Sequence, residues 1–332
     1  VAFASATQDI VIDAYRIESA PERLQAAMAA SYMTGYRLAM IMAGAGALAL
    51  AAWLGSNSGY DYNGWRLTYL LMAGLMSLGV ITTLCCHEPV IDLASQNEQQ
   101  AAHKALLLAR GWPASLAGLG AWSHEAIWCP FADFFRRYGG SALLILGLIA
   151  CYRISDVVMG VMSNSFYVDM QFSKTEVATI TKVYGVIMTL VGAALGGVLV
   201  MRFGTLRILF LGALLTASTN LLFALLNEVG HNLELLTLII SLDNLSAGIA
   251  TAAFVTYLSS LTNVAFSATQ YALFSSVMLL LPKLLAGFSG RFVEQFGYSS
   301  FFISTSLLGI PVLILIVLVA KRGRSLLSQS DK

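Results

Sequence analysis

The sequence predicts an all-α, polytopic membrane protein, and three observations carry that prediction. Of its 332 residues, 58% are hydrophobic and only 11% charged, with a mean hydropathy of +0.75, whereas an ordinary soluble domain holds roughly a quarter charged residues. Apolar stretches long enough to cross a bilayer recur along the chain, each bounded by charged, Gly/Pro or Asn-rich breaks. Basic residues collect at alternate breaks. The formal net charge of +1 supplies no bulk attraction for nucleic acid or for an acidic partner.

The apolar stretches fall at about 1–17, 25–54, 65–86, 140–167, 176–201, 206–226, 234–261, 268–290 and 298–320, which predicts nine membrane helices. The first opens at Val1 without an initiator Met and with a helical pattern already under way, so the chain is expected to continue a longer reading frame. Between the third and fourth stretches, residues 87–139 carry His103-Lys104, Arg110, Trp112-Pro113 and Cys129-Pro130. That segment is too polar to span and is predicted as a long loop with short surface helices. The other connections are tight, so consecutive helices run antiparallel.

Sidedness follows from the basic residues. One set of helix ends holds Arg16, Arg23, Lys104, Arg110, Arg136, Arg137, Arg202, Arg207, Lys321, Arg322, Arg324 and Lys332, and the other only Arg66, Lys174 and Arg291. This asymmetry predicts a cytoplasmic long loop and C-terminus. Asn57, Tyr60, Asp61, Tyr62, Asn63 and Trp65 on the opposite side suit a membrane–water interface.

Eight charges remain inside the stretches: Arg37, Arg153, Lys182 and Lys283, with Asp9, Asp13, Asp156 and Asp243. Each costs at least about 2.5–3.5 kcal/mol at a lipid-exposed helix centre, so each is expected to face protein or a water-filled cavity. Ser5, Asp9 and Asp13 recur every fourth residue, with Arg16 three further on, and form one polar stripe. Two carboxylates one turn apart in a low dielectric do not both ionise cheaply. This is a proton-binding arrangement; the alternative is that Asp13 pairs with Arg16 or a base on another helix and ties helices together.

Arg153 and Asp156 either pair with each other or line a cavity with Ser155, Asn164 and Tyr167. Lys182 has no acid three or four residues away, which calls for a partner on another helix or an anionic ligand. Arg37 lies beside Gly35, Gly44 and Gly46, small residues that allow close helix approach. Asp243 and Asn244, with Gln270, Tyr271, Ser275 and Ser276, present polar faces able to bond neighbouring helices or a multi-hydroxyl ligand.

No cofactor or metal motif is found. Cys85, Cys86, Cys129 and Cys151 show neither zinc nor disulfide spacing and read as reduced packing residues. His87, His103, His124 and His231 all fall outside the stretches, so no metal centre within the membrane is expected. G-x-S-x-G, H-E-x-x-H and Walker A sequences are absent, which argues against an enzyme or a self-contained ATP-driven pump.

Gly197-Val-Leu-Val-Met-Arg-Phe-Gly-Thr-Leu-Arg207 resembles the major facilitator loop G-x-x-x-D-R-x-G-x-x-R, with Met201 in place of the usual acid. Along the whole chain, Ala4-Ser-Ala-Thr-Gln-Asp-Ile-Val-Ile-Asp-Ala-Tyr, Gly35-Tyr-Arg-Leu, Tyr152-Arg-Ile-Ser-Asp, Asp243-Asn-Leu-Ser-Ala-Gly and Phe266-Ser-Ala-Thr-Gln-Tyr-Ala-Leu resemble the AmpG muropeptide permeases, relatives of the acetyl-CoA transporters. The resemblance implies a major facilitator fold whose helices four to twelve are present. Residues 1–86 would then be the remainder of the N-terminal bundle, 87–139 the inter-bundle loop, 140–320 the C-terminal six-helix bundle and 321–332 a tail.

It further implies proton-driven import of anhydro-muropeptides across the bacterial inner membrane by a monomer, serving peptidoglycan recycling and beta-lactamase induction. In that frame Asp9 and Asp13 are the expected proton-coupling residues. Arg37, Arg153, Asp156, Lys182, Asp243, Asn244 and Gln270 are the expected substrate-binding residues. Two other readings remain open: a carrier of acetyl-CoA or another amphiphilic anion, and a non-transporting receptor for cell-wall fragments.

Overall fold

The computed structural model describes residues 2–21, 24–56, 61–89 and 94–330. Among them the secondary structure is entirely helical. Eight helical stretches are long and apolar enough to cross a membrane: Gln25–Gly55, Tyr62–Cys85, Ala114–Asp169, Thr179–Phe203, Thr205–Val229, Leu233–Leu261, Val264–Ala286 and Ser289–Arg322. Each overlaps one of the apolar stretches predicted from the sequence. Helix α1, Ala2–Glu18, follows directly on the first residue of the sequence and carries Asp9, Asp13 and Arg16.

The chain divides into two compact units, Ser31–Val90 and the combination of Val1–Ala30 with Ile91–Lys332. In the smaller, the helix that starts as α2, Gln25–Ile41, continues through π turns at Met42–Gly46 and Ala52–Ser56 and ends at Gly55, whose φ of 119° suits only glycine. Asp61 then caps α3, Tyr62–Cys85, accepting bonds from the amides of Gly64 at 2.8 Å and Asn63 at 3.3 Å.

In the larger unit the segment predicted as a long loop with short surface helices carries α4 Ala94–Ala109, α5 Ala114–Ser123 and α6 Cys129–Tyr138, with a π turn at His124–Trp128 between the last two. α7 Ala142–Cys151 and α8 Ile154–Asp169 follow, broken at Tyr152-Arg153. Then come α9 Gly185–Phe203, α10 Thr205–Val229, α11 Leu233–Leu261, α12 Ser267–Ala286, α13 Ser289–Leu307 and α14 Gly309–Ser330.

Glycine lets α9 and α11 touch backbone to backbone. A Cβ on Gly248 would lie 2.4 Å from the Thr189 carbonyl oxygen, and one on Gly192 would lie 2.3 Å from that of Leu245. Van der Waals contact is the main attraction between helices in lipid, and small residues maximise it. Phe166, Phe223 and Phe302, all fully buried, interlock α8, α10 and α13 with ring centroids 4.9–6.4 Å apart.

Candidate functional site

The polar stripe of α1 faces α12. Asp9 and Asp13 border a cleft of about 570 Å³ whose other wall is Tyr271, Ser275, Ser276 and Lys283, a volume within the roughly 300–1,000 Å³ of small-molecule sites. Tyr271, Ser275 and Lys283 lie on every fourth residue or a multiple of it, as do Ser5, Asp9 and Asp13, so two helical stripes confront each other. The tetrapeptide Ser-Ala-Thr-Gln also occurs on both helices, at Ser5–Gln8 and Ser267–Gln270. The spacing of Tyr271, Ser275 and Lys283 is the signal in the sequence that marks a polar stripe on α12 and makes Lys283 part of it.

At the inner end of the cleft Arg16 is a hub, 3% exposed. Its guanidinium pairs with Asp13 at 3.4 Å, donates to Ser259 Oγ at 2.8 Å and Gln25 Oε1 at 3.5 Å, and lies 5.2 Å from the Tyr271 ring centroid. Gln25 in turn donates to the carbonyls of Ile17 and Ala20, closing the end of α1. The Ser267 hydroxyl donates to Glu18, a second tie between α1 and α12. Asp13 is thus paired with Arg16 and also borders the cleft, and Arg16 touches α1, α11 and α12 together.

The remaining predicted residues lie elsewhere. Arg153 and Asp156 pair with each other at 2.5 Å and border a cavity of only about 20 Å³ with Ser155, Thr216 and Thr251, room for about one water. Asp243 accepts from Thr219 Oγ1 at 3.1 Å and lies within electrostatic range of Asp156. Asn244 donates to the Ile240 carbonyl and accepts from Thr189 Oγ1, both at 2.9 Å, and locks α11 to α9.

Gln270 is 1% exposed and uses all its polar capacity within the protein. Its amide donates to Pro130 O and Asp133 Oδ2, each at 2.9 Å, while its oxygen accepts from Arg137 and the Asn263 amide. With the Asp133–Arg137 ion pair at 2.8 Å, it fastens α6 to α12. Arg37 is half-buried in the smaller unit. Lys182 belongs to the π turn Ala178–Tyr184, and its side chain lies outside the described residues.

A scan against models of protein families finds no match. Individual relatives are clear. The chain is 30% identical over 320 residues to a Rickettsia felis protein named putative transporter AmpG 4, covering 96% of this chain and 70% of that one. A Rickettsia conorii protein of the same name is 31% identical, with 95% and 69% covered. The anhydromuropeptide permease of Escherichia coli K12 is 32% identical over 318 residues, which are 96% of this chain and 58% of the permease. Among solved structures, the proton:xylose symporter XylE of the major facilitator superfamily superposes with a TM-score of 0.59 over 92% of this chain and 66% of its own, at 16% identity. That likeness carries the fold.

Proposed function

The chain belongs to the AmpG permease family of the major facilitator superfamily, a family of multi-pass membrane transporters and not of enzymes, and on that premise we propose that it imports anhydro-muropeptides coupled to protons. The setting is the bacterial inner membrane with the 94–138 segment on the cytoplasmic side, which the distribution of basic residues supports.

The cleft between α1 and α12 is the observation that carries this reading. Its chemistry is mixed in the way such a substrate needs: Lys283 offers a cation to a peptide or lactyl carboxylate, Ser275, Ser276 and Tyr271 offer hydroxyls to sugar groups, and Leu279, Leu280 and Leu284 offer apolar surface to the ring faces. Asp9 and Asp13 border the same space and receive the proton. Protonated Asp13 releases Arg16, whose bonds to Ser259 and Gln25 and contact with Tyr271 transmit the event to α11 and to the cleft wall. The tight Arg153–Asp156 cluster then holds the C-terminal helices as one rocking body around the cleft.

Gradient-driven uptake of labelled anhydro-muropeptide into membrane vesicles bearing the protein, expressed from its full reading frame, tests the reading. Unlabelled N-acetylglucosaminyl-anhydro-N-acetylmuramic acid is expected to compete and coenzyme A to leave uptake unchanged. The reverse order of competition overturns the substrate.

A further inference from the structure

The four cysteines and four histidines carry no recognisable metal spacing in the sequence, yet three ligand types meet where α5 passes into α6. We propose that His124, Glu125 and Cys129 form a transition-metal site of zinc type on the segment that joins the helical groups. Their ligand atoms all lie within 4.8 Å of one another. Cys129 Sγ is 3.5 Å from His124 Nδ1 and 3.3 Å from Glu125 Oε2.

The backbone explains the meeting. Residues 124 and 129 are five apart, a separation that puts side chains on different faces of an α-helix. The π turn His124–Trp128 has the i→i+5 period that aligns them, and π turns of this kind concentrate at functional sites. With Zn–S near 2.3 Å and Zn–N or Zn–O near 2.0–2.1 Å, the edges of a tetrahedral site measure about 3.5 Å. The two separations from sulfur already match those edges, and the third pair lies within 4.8 Å.

Two further features support a ligand set over a chance cluster. Glu125 Oε1 is buried and makes no hydrogen bond among the described residues, a costly position for a carboxylate oxygen unless a cation completes it. The His103 ring stacks on His124 with centroids 4.1 Å apart and planes 13° from parallel. Parallel rings cannot aim their in-plane lone pairs at one metal, so His103 is a positioning residue that fixes the His124 ring, and the fourth coordination position is left for water.

One thiolate, one imidazole and one carboxylate suit zinc or cobalt and exclude magnesium and calcium, which select oxygen ligands. The site would also brace the transporter. Thr269 Oγ1 donates to the Ala126 carbonyl inside the π turn at 3.1 Å, and the next residue, Gln270, holds Pro130. A metal that stiffens this turn thus stiffens its attachment to α12.

Cobalt titration of the reduced, chelator-treated 332-residue chain in detergent tests the site. One cobalt per chain is expected, with a thiolate-to-cobalt charge-transfer band in the near ultraviolet that zinc abolishes. Cys129→Ser should eliminate the band, His124→Ala should weaken binding by tenfold or more, His103→Ala should weaken it less, and Cys151→Ser should change nothing. A second readout needs no variant: zinc should slow alkylation of Cys129, mapped by mass spectrometry, and leave that of the exposed Cys85 unaltered. Absence of the charge-transfer band in the unmutated chain, or equal Cys129 alkylation with and without zinc, overturns the proposal.

Discussion

Two groups of intramembrane charge sit in this molecule, and they have opposite surroundings. Between α1 and α12, Asp9, Asp13 and Lys283 border a cleft of about 570 Å³. Between α8, α10 and α11, Arg153 and Asp156 border a cavity of about 20 Å³ and are already partners. Space and remaining bonding capacity separate them: Arg153 and Asp156 satisfy each other across one helical turn, whereas charges along an open wall are available to a ligand and a proton.

The largest test of that contrast is steric. Gly248→Val in the closed bundle drives a side chain into the Thr189 carbonyl and the Ala193 amide, both under 3.0 Å from the added Cβ. Such overpacking costs about 3 kcal/mol or more, and folded protein should be largely lost in size-exclusion profiles from detergent, while Ser276→Ala on the cleft wall should leave the profile unchanged. Next, Asp156→Ala strands Arg153 and should lower stability by about 3 kcal/mol, the lower end for breaking a buried pair because this one is partly exposed. Thermal denaturation in detergent checks this, and Asp9→Asn serves as the neutral comparison.

Lys283→Ala reverses the pattern. Stability should stay within about 0.5 kcal/mol, as for an exposed substitution, while affinity for a carboxylate-bearing muropeptide should fall about tenfold, or 1.4 kcal/mol, in equilibrium binding. An unchanged affinity would place the anion elsewhere.

The smallest effect lies outside the spans. Ser173 and Glu176 form a capping box, with the Ser173 amide donating to Glu176 at 2.7 Å and the Glu176 amide donating to Ser173 Oγ at 3.2 Å. Those bonds hold the Glu176 carboxyl below its ordinary range, with a lesser pull from His231. A lowered carboxylate contributes stability above its ordinary pKa and loses it as the pH falls through the lowered value. Glu176→Gln should therefore lower the melting temperature slightly at neutral pH and leave it unchanged in acid, flattening the step between the two.

Much of the fold was legible in composition because lipid imposes it: a helix that faces hydrocarbon must be apolar for its whole length. The eight long spans were accordingly readable, and so was the stripe Ser5, Asp9 and Asp13, whose spacing is local. The short helices of residues 94–138 were legible as elements but not in their placement, because they are held by bonds to distant partners, such as those that Arg137 and Asp133 make with Gln270. Nothing local to Gln270 says that its bonds are taken. The meeting of Cys129 with His124 and Glu125 was not legible because motif spacings assume standard turns, and the π turn alters which side chains meet.

The central claim is that proton coupling resides on α1 and not in the closed C-terminal cluster. Uptake of labelled anhydro-muropeptide under an imposed pH gradient, compared with uptake without one, measures it directly in Asp13→Asn and Asp156→Asn proteins matched for folded amount. The account predicts that Asp13→Asn still binds substrate but loses the stimulation by the gradient, and that Asp156→Asn keeps it. Full gradient stimulation in Asp13→Asn would contradict the account.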